Sequence, residues 1–307
     1  NSLTPRLYDS SENRLIRVEA AAMCLPPNQT MKTNPSTTGA SVLWLSDPHF
    51  DKSSANQQRS LVECVADSQS DCIVISGDIS SSNQLTEPLA LIASVTAPRP
   101  VYFVTGNHDY YGSSLAKVDA AIADLCAKVG NLHYLNGRQI IPLDRDTCLI
   151  GHRGWADARA GYGVRSWLRN PDHRAIHDFR ELTRERFMVR MRELGGESAE
   201  RIRRILPLAL TGYRHVILLT HTPPFAKAVR YNDAPCGPLH LPHFTNVSTG
   251  LAIRGIARAF PSRRITILAG HSHSSSLTHV DSNICVRVAK ASAGRTGTGP
   301  PEILKFS

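Results

Sequence analysis

The sequence has no Cys-x-x-Cys pair, no apolar stretch near the roughly 18 residues of a membrane span, and no tract in which basic and aromatic residues interleave. Its seven cysteines (Cys24, Cys64, Cys72, Cys126, Cys148, Cys236 and Cys285) are odd in number and widely spaced, and several sit in apolar runs. That argues against a disulfide framework or a zinc knuckle and for buried free thiols in a reducing compartment. No charged start leads into a short apolar core and cleavage site, so the expectation is a soluble, cytoplasmic protein without a membrane partner. A length of 307 residues suffices for one large core or two modest ones. The net charge of +9 favours an anionic partner without naming one, and the excess reads as ordinary solvated surface.

Residues 101–109 read Val-Tyr-Phe-Val-Thr-Gly-Asn-His-Asp. An apolar, β-branched and aromatic run ends at Thr105, a glycine permits a sharp turn, and Asn107, His108 and Asp109 follow. The same construction recurs four more times. Residues 42–46 run into Asp47 and His49, 72–76 through Gly77 into Asp78, 216–220 into His221, and 265–269 through Gly270 into His271 and His273. Near-continuous apolar strands are central strands covered on both faces, and ligands of such sheets bind beyond the carboxyl ends. The five tips should meet in one crevice. Two aspartates, an asparagine amide and several imidazoles gathered there suit divalent cations of borderline hardness, and buried carboxylates need a compensating charge.

Around these strands, residues 1–38 are rich in Ser, Thr, Asn and Pro and show no sustained periodicity, which predicts a disordered N-terminal extension before a domain over 39–307. Helices are expected after Ser53 or Ser54, from about Gln84, and over 114–129. Strand, helix and strand then alternate, as right-handed crossovers in a parallel sheet require. Asn136-Gly137 between β runs predicts a hairpin. Residues 151–212 read as an inserted segment near the site, a loop around Trp155 followed by arginine-rich helices at about 175–194 and 198–211 interrupted by Gly195-Gly196. The irregular stretch 223–246 is too long for an idle connection and suggests a wall of the site.

Taken together, Asp47-x-His49, Gly77-Asp78, Gly106-Asn107-His108-Asp109, a distant His221 and Gly270-His271-x-His273 resemble the calcineurin-like metallophosphoesterase superfamily, over about residues 41–290. All five blocks are present in order. The resemblance implies an α/β fold, a four-layer αββα sandwich of two mixed β-sheets flanked by helices. It implies two divalent metal ions (Mn, Fe, Zn or a mixture), one held by Asp47, His49 and His273, the other by Asn107, His221 and His271, with Asp78 bridging. His108 would face the substrate. Two cations roughly 3.5–4 Å apart can share a water, lower its pKa and clamp phosphate oxygens, and an imidazole can assist the departing oxygen. Asp109 could orient a neighbour or cap the helix at 114, and Arg159 could bind phosphate.

The expected activity is hydrolysis of an anionic phosphate ester, a diester before a monoester, by attack of a hydroxide shared between the metals with His108 assisting the leaving group. The sequence after Gly77-Asp78, Ile-Ser-Ser-Ser-Asn, lacks the Asp and Arg-Gly of the phosphoprotein phosphatase branch. Alternatives are a phosphomonoesterase or nucleotidase, a nuclease gripping nucleic acid through the arginine-rich helices, and a non-catalytic scaffold. The nuclease is disfavoured by the missing aromatic and basic interleaving. The scaffold is disfavoured because no ligand position is lost.

Overall fold

The structure is a computed structural model. It describes residues 39–290 and 301–306, and the backbone of a short antiparallel pairing of Leu7–Tyr8 with Leu15–Ile16. The expectation for residues 1–38 otherwise lies outside the described residues.

The first half of the chain runs β1 (Ser41–Leu45), α1 (Ala55–Asp67), β2 (Cys72–Ser76), α2 (Thr86–Thr96), β3 (Val101–Val104), α3 (Leu115–Lys128) and β4 (Leu132–Tyr134). The second half runs β5 (Ile141–Pro142), β6 (Thr147–Gly151), α4 (Arg184–Gly212), β7 (His215–Leu219), α5 (Val247–Ala257), β8 (Arg264–Ala269), β9 (Ser276–Asp281), β10 (Ile284–Val288) and β11 (Glu302–Lys305). Helix α1 starts where a serine predicts it, since Ser54 and Gln57 form a reciprocal capping box.

Strands β1 to β4 pair in parallel, with β11 antiparallel on the free edge of β1. The second sheet has the order β9-β10-β8-β7-β6-β5, parallel through its four central strands and antiparallel at both edges. Side chains alternate along each strand. Val42, Trp44, Val74, Tyr102 and Val104 meet Leu149, Ile217, Leu219 and Leu268 in a core between the sheets. Leu43, Leu45, Ile73, Ile75 and Phe103 face α1 to α3, and Ile150, Val216, Leu218, Ile265 and Ile267 face α4 and α5. Every central strand is thus covered on both sides, which is why each reads as an unbroken apolar run. The result is the expected α/β four-layer sandwich.

Two local expectations are overturned. Asn136-Gly137 makes no hairpin: β4 belongs to the first sheet and β5 to the second, so this turn carries the chain across the sandwich, anchored by the Gly137 N–H donating to the Gly151 carbonyl (2.7 Å). Leu135, just before it, is buried between the sheets, and that burial outweighs the local turn preference. The arginine-rich segment is one continuous helix, α4, that runs through Gly195-Gly196 and Pro207. Each glycine costs about 1 kcal/mol relative to alanine. Burial of Phe187, Met188, Met191 and Leu194 on one side of the pair and Ile202, Ile205 and Leu206 on the other contributes about 1.5–3 kcal/mol per side chain. Gly195 is also required sterically, because a Cβ there would collide with Asp157. The helix forms the outer layer over the second sheet, while its arginines pair with neighbouring glutamates in solvent, as Arg204 does with Glu200 (2.8 Å).

Among the described residues no helix is long and apolar enough to cross a membrane, and all the described cysteines are free.

Candidate metal centre

The carboxyl ends of β1, β2, β3, β7 and β8 lie side by side, and their loops are tied to one another by backbone hydrogen bonds. The Asp47 N–H donates to the Gly77 carbonyl (3.0 Å), the His49 N–H to Asp78 (3.0 Å), and the Gly270 N–H to His221 (2.9 Å). Gly77 has φ +90° and a Cβ there would lie 2.6 Å from the Gly106 nitrogen, so only glycine allows two tips to approach this closely. The tips are also strained. Asp47, His49, Asp78, His271 and His273 all have φ between 42° and 71°, a region that non-glycine residues rarely occupy. Strain concentrated in five chemically capable residues points to a shared task.

Their side chains converge. One oxygen or nitrogen from each of Asp47, His49, Asp78 and His273 lies within 4.8 Å of the others, and the same holds for Asp78, His221 and His271. Asp78 belongs to both groups. His49 Nε2 lies 3.2 Å from His273 Nε2 and 3.7 Å from Asp78 Oδ2, while His273 Nε2 lies 3.4 Å from Asp47 Oδ1. On the other side, His221 Nε2 is 3.3 Å from Asp78 Oδ1, 3.2 Å from Asn107 Oδ1 and 3.1 Å from His271 Nδ1.

The outward nitrogens decide what the inward ones present. His221 Nδ1 faces the Ser76 carbonyl at 2.8 Å and His271 Nε2 faces the His243 carbonyl at 2.8 Å. A carbonyl only accepts, so both outward nitrogens carry the proton. Burial lowers the pKa of both rings, His271 to about 4, so they stay neutral. His221 Nε2 and His271 Nδ1 therefore confront each other as lone pairs at 3.1 Å. Asp78 adds a buried Oδ2 with no hydrogen-bond partner, and burial together with the neighbouring Asp47 and Asp109 charges pushes its pKa well up. Lone pairs turned on one another beside an unpartnered carboxylate oxygen fit divalent cations. For Asp47, burial works against the carboxylate, but the bond from His273 and the nearby imidazoles more than offset it and hold the pKa low.

The centre opens into a cavity of about 540 Å³ lined by His108, Tyr111, Asp172, Asn232, Asp233 and His243 among others. His108 donates its backbone N–H to Asp78 Oδ1 (2.9 Å), its ring stacks on Tyr111, and Lys52 Nζ lies 2.8 Å from its Nδ1. Asp172 accepts from Asn107 Nδ2 (2.8 Å) and the Tyr111 hydroxyl (2.7 Å), which turns the Asn107 carbonyl oxygen toward His221. Ser272 Oγ, between two of the clustered histidines, is buried without a partner. Lys52 and Asp172 carry no spacing that marks them, so the sequence conceals their proximity, whereas Ser272 is placed by the two expected histidines that flank it. For Asn232 and Asp233 a signal exists: an Asn-Asp pair tolerates positive φ, and both residues form the tip of the hairpin Arg230–Tyr231/Ala234–Pro235.

Of two further expected participants, Asp109 orients its neighbours behind the centre, one of the two roles expected of it, and Arg159 sits elsewhere. Asp109 is fully buried and accepts N–H bonds from Asp78, Ile79, Ser80 and Gly106, so it joins the β2 and β3 tips. Burial pushes its carboxyl up to about 7 against those four donors. It does not cap α3, whose first turn is held by Ser114 and Asp178. Arg159 lies 3.6 Å from the buried Asp157, which receives the N–H and hydroxyl of Ser248, and it does not line the cavity.

The family model described as calcineurin-like phosphoesterase matches residues 40–275, and the chain belongs to that family. Its members use two divalent metals, and the protein is a hydrolase acting on phosphoric esters. Among solved structures, a dimetal phosphatase from Danio rerio superposes with a TM-score of 0.54 at 12% identity, covering 88% of this chain and all (100%) of that one. The protein TT1561 of Thermus thermophilus gives a TM-score of 0.50 at 13% identity, covering 82% of this chain and 90% of that one. At such identities these likenesses speak for the fold alone. The sequence matches no curated protein.

Proposed function

We propose that the protein is a phosphodiesterase whose two divalent cations, of the manganese, iron or zinc kind, are held by Asp47, His49 and His273 on one side and Asn107, His221 and His271 on the other, with Asp78 shared. The observation that carries this reading is the lone-pair contact between His221 and His271 beside the unpartnered Asp78 oxygen. When bound, such a pair supplies Lewis acidity toward phosphoryl oxygens and activates water at neutral pH.

The chain's own groups do the rest. The Lys52 ammonium can only donate, so His108 Nδ1 accepts from it and Nε2 carries the proton toward the Asp78 side. Burial and the nearby cationic groups lower the His108 pKa, which keeps the ring neutral. Nε2–H donates to the departing oxygen, and a proton transferred there is replaced at Nδ1 from Lys52. The preference for a diester rests on charge. Among the described lining residues Asp78, Asp172 and Asp233 are acidic, while the one cation, Lys290, lies 3.6 Å from Asp233. A singly charged diester suits that lining better than a doubly charged monoester.

The test is turnover of bis(p-nitrophenyl) phosphate and p-nitrophenyl phosphate with added manganese, alongside elemental analysis. Two bound ions and a higher kcat/KM on the diester are expected. Faster monoester cleavage would reverse the specificity, and turnover indifferent to chelator would sink the metal reading.

A further inference from the structure

Beside the metal centre the cavity wall is aromatic. The Phe244 ring lies 5.0 Å from His271, Tyr231 lies 5.8 Å from Phe244, and Tyr231 stacks on His240 at 4.3 Å with 23° between planes. Tyr231 and Phe244 both line the cavity, and Tyr231 remains 38% exposed. Ring faces thus lead outward from one proposed ligand. Their position is fixed by the hairpin that carries Tyr231: the Asp233 N–H donates to Ser274 Oγ (3.2 Å), next to His273, and the Asp233 carboxylate pairs with Lys290.

Resting on the diesterase reading above, we propose that this row is a subsite for a flat aromatic ring on the ester arm that stays attached to phosphorus. The row begins at His271, whereas the departing oxygen faces His108. A planar group on the retained arm gains offset stacking against Tyr231 and Phe244, and a methyl group gains none. An aryl ester and a nucleoside ester both present such a ring. Tyr231 is a specificity residue here and takes no part in the bond change.

The test compares the methyl, phenyl and 5′-thymidyl esters of p-nitrophenyl phosphate, which share one leaving group, on the metal-loaded protein. Calorimetric titration with methyl phosphate and phenyl phosphate, two of the retained products, accompanies it. A ring on the retained arm should raise kcat/KM and product affinity about three- to tenfold. Tyr231→Ala should erase that preference while leaving the methyl ester unchanged, and Tyr231→Phe should keep it. A larger gain for the thymidyl arm identifies a nucleoside ester as the substrate class, and a larger gain for phenyl identifies an aryl ester. Absence of ring preference in the native protein, or equal losses on all three esters in Tyr231→Ala, overturns the subsite. If no diester is turned over, the diesterase reading fails by itself. The product titration then decides: tighter phenyl phosphate binding that Tyr231→Ala abolishes upholds the row, and equal binding of both products removes it.

Discussion

The two halves of the proposed metal centre are built differently. On the Asn107, His221 and His271 side each group is oriented from behind: Ser76 and His243 carbonyls fix the two rings, and Asp172 fixes the amide. On the Asp47, His49 and His273 side, Asp47 is held by Ser46 Oγ and the His271 N–H, but His49 Nδ1 is buried without a partner and His273 is 31% exposed. The first half is held by outer hydrogen bonds at every group, and the second lacks such a bond at His49. Groups oriented by outer hydrogen bonds hold metals more tightly, so the cation on the Asp47 side should be the one that exchanges.

Asp78 belongs to both halves, and Asp78→Asn gives the most severe break. Activity should fall by more than about 10³-fold, the scale of several kcal/mol of charge stabilisation, and elemental analysis should show both ions depleted. Retention of one ion at full occupancy would show the halves to be independent. Asp172→Ala acts on one half, since it releases Asn107. Metal affinity there should weaken about 10- to 100-fold in a chelator competition, while the weaker site stays as it was. Equal weakening of both would erase the distinction between a rigid and a loose side.

The smallest effect is read in pH. Burial lowers His49 to about 3 and His271 to about 4 from an ordinary 6.5. In the metal-free protein both stay neutral when folded, whereas the unfolded chain binds protons below about pH 6.5. Their contribution to stability is therefore whole above that pH and is lost as pH falls toward 4 and then 3, by up to about 1.4 kcal/mol per unit for each ring. Asp78, raised by burial, works in the opposite direction. The melting temperature of chelator-treated protein should drop by a few degrees between pH 7 and pH 5. In His271→Gln the drop should be smaller, and an unchanged slope would remove that ring from the account.

The strands and their polar tips were legible because apolar runs stop abruptly at Asp, Asn or His, and burial on both faces leaves no other reading for such runs. The convergence of Asp47, His49, Asp78, His221, His271 and His273 followed from that. Lys52 and Asp172 were not legible, since they reach the centre from a loop after β1 and from a short helix, Asp172–Ala175, far along the chain. Arg159 was misjudged for a related reason: a phosphate-binding residue type reveals nothing about the buried Asp157 that takes it. Gly195-Gly196 and Asn136-Gly137 misled because local preferences of about 1 kcal/mol yield to burial of several large side chains.

Five of the residues that gather at the centre sit in left-handed backbone, where aspartate and histidine are tolerated and glycine is at ease. Each carries a conformational penalty on the order of 1 kcal/mol that the surrounding sandwich must hold in place. A metal-free chain in which glycine replaced the part-exposed His273 should hold its melting temperature or gain slightly on heating while losing its chemistry. Tolerance of heat and reactivity toward phosphorus are set against each other at the same few peptide units.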